Sequence, residues 1–78
     1  MQNDGYHSYC VEFQYKQKTY VGEFKSTVKI TPQTNRYVAW DLASDCINSV
    51  LSKIPNRVKG GCPYDIYISG EFGTIKVD

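Results

Sequence analysis

The side chains best equipped for chemistry are one histidine and three cysteines: His7, Cys10, Cys46 and Cys62. His7-x-x-Cys10 is a usable half of a zinc site, and three cysteines with one histidine are a genuine zinc donor set. Cys46 and Cys62 are a poor second half, because structural sites usually draw each pair from close spacing. Cys46 also falls on an apolar helical stripe, where a thiol serves as a small hydrophobe. Cys62, in Gly60-Gly61-Cys62-Pro63, reads as a loop thiol with Lys59 nearby to favour its thiolate. A nucleophile needs a base within reach, and the only histidine lies far away near the start of the chain. The reading expects no metal, no cofactor and no enzymatic activity.

Two further patterns fall short of chemistry. Glu12 and Glu23 form a carboxylate pair only if a hairpin brings them face to face, and then on an open, lysine-bearing surface rather than in an apolar pocket. Lys59-Gly60-Gly61-Cys62 lacks the Gly-x-x-x-x-Gly-Lys spacing of a phosphate loop and precedes a strand, not a helix.

The elements that position these residues come from periodicity. Tyr9, Val11, Phe13 and Tyr15 alternate with Cys10, Glu12, Gln14 and Lys16; Tyr20, Phe24, Val28 and Ile30 then continue the apolar face against Glu23, Lys25, Thr27 and Lys29. A period of two with one polar face predicts an antiparallel hairpin covered on one side, over about Ser8–Lys16 and from Thr19 or Tyr20 up to Ile30. Two registers keep the faces. A loop of Gln17-Lys18 opposes Glu12 to Glu23 and Phe13 to Gly22; a loop of Gln17–Tyr20 opposes Glu12 to Lys25 and Phe13 to Phe24. Charge repulsion and turn chemistry favour the longer loop.

Thr31–Asn35 reads as a turn around Pro32. Arg36–Trp40, rich in aromatic and β-branched residues, is expected as a short third strand, with Asp41 capping the helix that follows; a helix starting near Thr34 is the alternative. Ala43, Cys46, Ile47, Val50, Leu51 and Ile54 set the helix over about Leu42–Lys53, with acids at its start and Lys53 near its end suiting the helix dipole, and Pro55 to stop it. A loop over Asn56–Pro63, a strand over Tyr64–Ser69 with Tyr64, Ile66 and Ile68 on one face, a turn at Gly70–Gly73 and a last strand over Thr74–Val77 complete the chain. The expected fold is α+β: a small antiparallel sheet of about four to five strands, with one helix packed on one face after the second or third.

Seventy-eight residues suit a single domain spanning 1–78, with residues 1–7 polar and frayed. An odd cysteine count, no basic-apolar leader and no long apolar run lead to the expectation of a soluble cytoplasmic protein that meets no membrane. The formal net charge of +1 argues against a phosphate backbone as main partner, which usually demands a basic excess.

What the composition does offer is aromatics: seven Tyr, three Phe and one Trp. Core packing takes many of them, and interfaces use the rest as anchors. Tyr6, Tyr37 or Trp40 (on opposite sides of the expected strand), Tyr67 and Phe72 fall outside the core pattern. With Glu12, Glu23 and Lys25 they make the candidate protein-binding set. The leading expectation is a protein-interaction module: an inhibitor, adaptor or subunit. Compact α+β chains of this size are similar in scale to accessory proteins of phages and mobile elements, such as anti-CRISPR inhibitors of host defence. Homodimerisation is expected to run through an unpaired sheet edge. The alternative is a nucleic-acid-binding domain using Lys16, Lys18, Lys25, Lys29, Arg57 and Lys59. Three strands before a helix resemble the sheet-readout domains of some integrases and plant transcription factors, and a hairpin leading into a helix resembles the double-stranded-RNA-binding module. The chain departs from both, having neither Arg-rich strands nor a basic helix start.

Overall fold

Alternation at Tyr9–Tyr15 builds the middle of the sheet. A computed structural model describes residues 5–54 and 61–78. Its elements are β1 (His7–Tyr15), β2 (Lys18–Ser26), α1 (Arg36–Ser52), β3 (Tyr64–Gly70) and β4 (Gly73–Lys76). They form one sheet of order β2-β1-β3-β4, antiparallel throughout, with the single helix packed against one face. The fold is therefore α+β, with four strands among the described residues. Tyr9, Val11, Phe13 and Tyr15 of β1 are buried together with Ile66 and Ile68 of β3, Ile75 of β4, Val77 beyond it, and Ala39, Ala43, Ile47 and Leu51 of α1. Among the described residues no helix is long and apolar enough to cross a membrane.

The hairpin keeps both expected faces but takes neither expected register. Tyr15 pairs with Lys18, Phe13 with Tyr20, Glu12 with Val21 and Cys10 with Glu23. The loop is Lys16-Gln17, both left-handed at φ 54° and 64°. This is a primed-turn geometry that usually recruits Asn or Gly, and it costs on the order of 1 kcal/mol or more per residue. The register returns aromatic pairing: Phe13 stacks with Tyr20 at 5.9 Å and Tyr9 lies 5.4 Å from Phe24. Each such pair contributes about 0.5–1.5 kcal/mol beyond burial. It also places Gly22 beneath α1, where a Cβ would lie 2.7 Å from Cys46 Sγ. The helix comes closest to the sheet there and stands further from β3 and β4.

β2 stops at Ser26 instead of running to Ile30, because the chain turns to bond the Tyr9 hydroxyl. That hydroxyl donates to the Val28 carbonyl at 2.7 Å and accepts from the Ile30 N–H at 3.0 Å. Ile30 is thereby buried, while Val28 is exposed. The turn at Thr31–Thr34 is held by Thr34 N–H to the Thr31 carbonyl and by Thr31 N–H to Thr34 Oγ1.

Residues 36–40 are helix, so the expected third strand is corrected. Asn35, not Asp41, is the N-cap, its side chain accepting from Tyr37 N–H at 2.8 Å. Ala39 extends the Ala43-Ile47-Leu51 stripe backwards by one turn, and burial of that stripe outweighs the β propensity of Tyr37 and Val38. The first turn carries no acid and the last no base, so the helix dipole is not complemented as expected. Pro55 and most of the expected 56–63 loop lie outside the described residues. At the other end, His7 opens β1 rather than fraying, its ring nitrogen 2.8 Å from Glu71.

β3 contains a bulge between its pairings with Glu12 and Gln14. Asp65 sits there at φ 50°, and the Asp78 carboxylate accepts from Asp65 N–H (2.7 Å) and Ile66 N–H (3.0 Å). The extra residue turns Tyr64 to the face opposite Ile66 and Ile68, correcting the single face expected for all three.

Candidate functional site

With α1 on one side, no element among the described residues covers the other face of the sheet. Register fixes its layout. One row across the strands reads Val21, Glu12, Tyr67, Lys76; the next reads Glu23, Cys10, Ser69, Thr74. Gln14 stands between Thr19 and Tyr64, donating to Thr19 Oγ1 at 2.8 Å. Ser69 and Thr74 hydroxyls lie 3.2 Å apart, and Lys76 sits 3.7 Å from Asp65. Within this polar weave three large side chains stand out: Val21 at 58 % exposure, Tyr64 at 41 % and Tyr67 at 39 %.

The structure gathers part of the predicted protein-binding set here and disperses the rest. Glu12, Glu23, Lys25 and Tyr67 share the open face, where Lys25 opposes Ser8. The two glutamates are diagonal neighbours, not partners, so no carboxylate pair forms. Tyr37 and Trp40, expected on opposite sides of a strand, sit three apart on the helix and line one cleft on the covered side. Phe72 folds back: it is half-buried, meets His7 edge-on at 5.1 Å and lies beneath Lys29 at 5.8 Å. Tyr6 is exposed just before β1.

Sequence reasoning missed Val21, Tyr64 and Lys76. Val21 was legible from its odd position between Thr19 and Glu23. Tyr64 was not, because the bulge that turns it leaves no mark in the alternation.

Among the described residues the lysines of the nucleic-acid alternative do not converge. Lys16 is in the β-turn and Lys18 starts β2, whereas Lys25 lies seven residues on, roughly 23 Å at strand rise. Lys29 belongs to the β2–α1 connection, and Arg57 and Lys59 lie outside the described residues. Among the described residues no group of three or more His, Cys, Asp or Glu is placed to hold a metal. His7 is taken up by Glu71, and Cys10 lies on the open face. Cys46 reaches over the sheet edge to the Glu23 carbonyl at 3.4 Å. Burial pushes its thiol pKa up, with Cys10 and Glu23 adding to the rise against Lys53.

On the covered side an apolar cleft of about 290 Å³ lies between the start of α1 and the β3–β4 pair. Tyr37, Trp40, Cys62, Pro63, Ile66 and Val77 line it, with Asp78 at its rim. It is the wedge left where the helix stands away from the sheet.

No protein-family model, curated protein or solved structure matches this chain.

Proposed function

We propose that the chain is a small protein-interaction module, an inhibitor, adaptor or subunit that binds another protein through the open face of its sheet. The observation that carries this reading is the Val21-Glu12-Tyr67 row with Tyr64 beside it. Exposed apolar and aromatic side chains sit on the strands, with Glu12 between Val21 and Tyr67, Lys76 at the end of that row and Glu23 in the next. An aromatic centre within a polar, mixed-charge rim is the anatomy of a protein interface. Strand backbones hold these side chains at little entropic cost to binding. An intracellular setting, part of the same proposal, keeps Cys10, Cys46 and Cys62 as thiols.

The test is affinity capture from the producing cells with the wild-type chain and with Val21→Lys and Tyr67→Ala. A stoichiometric partner retained by wild type and lost by both variants supports the reading. Capture unaffected by either variant overturns the face assignment. Salt-sensitive micromolar binding of single-stranded oligonucleotide, lost on Lys25→Ala, would replace it with nucleic-acid recognition.

A further inference from the structure

Among the described residues both edges of the sheet are strands without a neighbour, but they are not equivalent. Tyr15 and Lys18 flank the two-residue turn, so Lys18, Tyr20, Gly22, Phe24 and Ser26 direct their backbone groups to β1. Thr19, Val21, Glu23 and Lys25 face outward, and the Glu23 carbonyl is already taken by Cys46 of the overlying helix. The β2 edge is thus partly closed. At the other side, Val77 N–H donates to the Ile66 carbonyl at 2.9 Å. Alternation then points Gly73 and Ile75 inward and turns the N–H and C=O of Thr74 and Lys76 outward. Nothing among the described residues pairs with them.

This open edge borders the apolar cleft: Val77, which continues β4, forms one wall, and Tyr37 and Trp40 of α1 form the other. Tyr37 is 70 % exposed. An unpaired ladder beside a helix-walled apolar slot supplies both parts of strand addition, main-chain bonds for affinity and a side-chain pocket for selectivity.

We infer that β4 and the Tyr37–Trp40 cleft form a docking site for an extended segment of another protein, which adds as a fifth strand and places one large apolar side chain in the cleft. The inference rests on the reading of the chain as a protein-binding module but uses a different surface.

A second copy of this chain fits less well. Antiparallel pairing of outward groups allows three symmetric registers: Thr74 on Thr74, Thr74 on Lys76, or Lys76 on Lys76. The first sets Glu71 of the copy opposite Val77, and the second sets Gly73 there, so neither fills the cleft. The third brings Ile75 but opposes two lysines, which destabilises a ladder. A foreign segment carries no such constraint. Only every second residue of it is read, the one opposite Val77 being Leu, Ile, Phe or Met in character.

The experiment pans a displayed library of random heptapeptides against the full chain, then titrates a synthesised winner by fluorescence anisotropy and amide NMR. Expected are winners with a large apolar residue flanked by unrestricted positions, and shifts at Thr74, Lys76 and Tyr37. Tyr37→Ala and Thr74→Pro should each weaken binding at least tenfold. Proline at 74 removes an outward N–H while leaving the β3 ladder intact. The same peptide methylated at the nitrogens facing β4 should lose binding to the wild-type chain by a similar factor, a result that needs no variant to fold. Failure to enrich peptides, shifts confined to other surfaces, or indifference to N-methylation overturns the inference. So does a wild-type dimer that Thr74→Pro disperses, which would assign the edge to a second copy. The capture experiment above reads Val21 and Tyr67, whereas this one reads β4 and Tyr37, so either can fail alone.

Discussion

Replacing Gly22 with alanine tests how closely α1 lies on the sheet. The new Cβ would meet Cys46 Sγ at 2.7 Å, Val50 Cγ2 at 3.0 Å and Val11 Cγ1 at 3.6 Å. Comfortable contact begins at about 3.5 Å, so the sulfur must retreat by roughly 1 Å. Cys46 can do so by changing rotamer, losing its bond to the Glu23 carbonyl, or the helix must lift. Overpacking of this kind costs about 1–3 kcal/mol, and relief of glycine's strand penalty returns about 0.5–1 kcal/mol. The expected net is destabilisation by about 1–2 kcal/mol, read by urea denaturation, or about 4–8 °C in Tm per kcal/mol for a chain of this size. The decisive comparison is the same substitution in a Cys46→Ala background. With the sulfur gone, the penalty should shrink by about 1 kcal/mol, appearing as a coupling energy in the double-mutant cycle. Equal effects in both backgrounds, or a more stable Gly22→Ala, would refute the close approach of helix and sheet.

Other perturbations have expected outcomes of similar clarity. Tyr9→Phe removes the hydroxyl that serves both Val28 and Ile30 and leaves a buried N–H without its partner; a loss of about 2 kcal/mol in denaturation and faster hydrogen exchange at Ile30 are expected. Gln17→Gly relieves a left-handed residue at φ 64° and should stabilise by about 1 kcal/mol in the same assay. At pH 8 iodoacetamide should modify exposed Cys10 faster than Cys46, whose raised pKa keeps less thiolate. Raising the pH should narrow the gap, and urea should abolish it; equal rates in the folded state would count against the partial burial of Cys46.

How far the sequence foretold this molecule depends on which interaction set each feature. Face parity was legible because burying Tyr9, Val11, Phe13 and Tyr15 together leaves only one way to orient the strand. Register was not, because every candidate loop preserved parity. The choice fell to the Phe13–Tyr20 and Tyr9–Phe24 pairs and to helix contact at Gly22, all tertiary. The helix start was hidden by β-favouring residues at 37 and 38, although Asn35 as cap and Ala39 one turn before Ala43 both signalled it. Of the candidate site, the strand-borne charges were placed on the correct face. Tyr64 depended on a left-handed Asp65 braced by the Asp78 carboxylate, and the cleft on a helix that packs over β2 and β1 and leaves β3 and β4 less covered. Neither is encoded locally.

β1 comes first among the strands yet occupies an interior position in the sheet. One of its flanks is satisfied by β2 across a two-residue turn, while the other waits for β3, where Cys10 finally pairs with Ser69. Joining such distant segments costs chain entropy that grows by about 0.6 kcal/mol with each doubling of the loop. Assembly should therefore be ordered in time: hairpin early, β3 docking late. Until β3 docks, Val11 and Phe13 lack their neighbours and β1 shows a complete row of hydrogen-bonding groups to any passing strand. In kinetic terms, Phe13→Leu should slow folding, whereas Ile68→Val should mainly speed unfolding. A chain that folds in this order is most prone to aggregation before β3 has docked, with its central strand still open on one side.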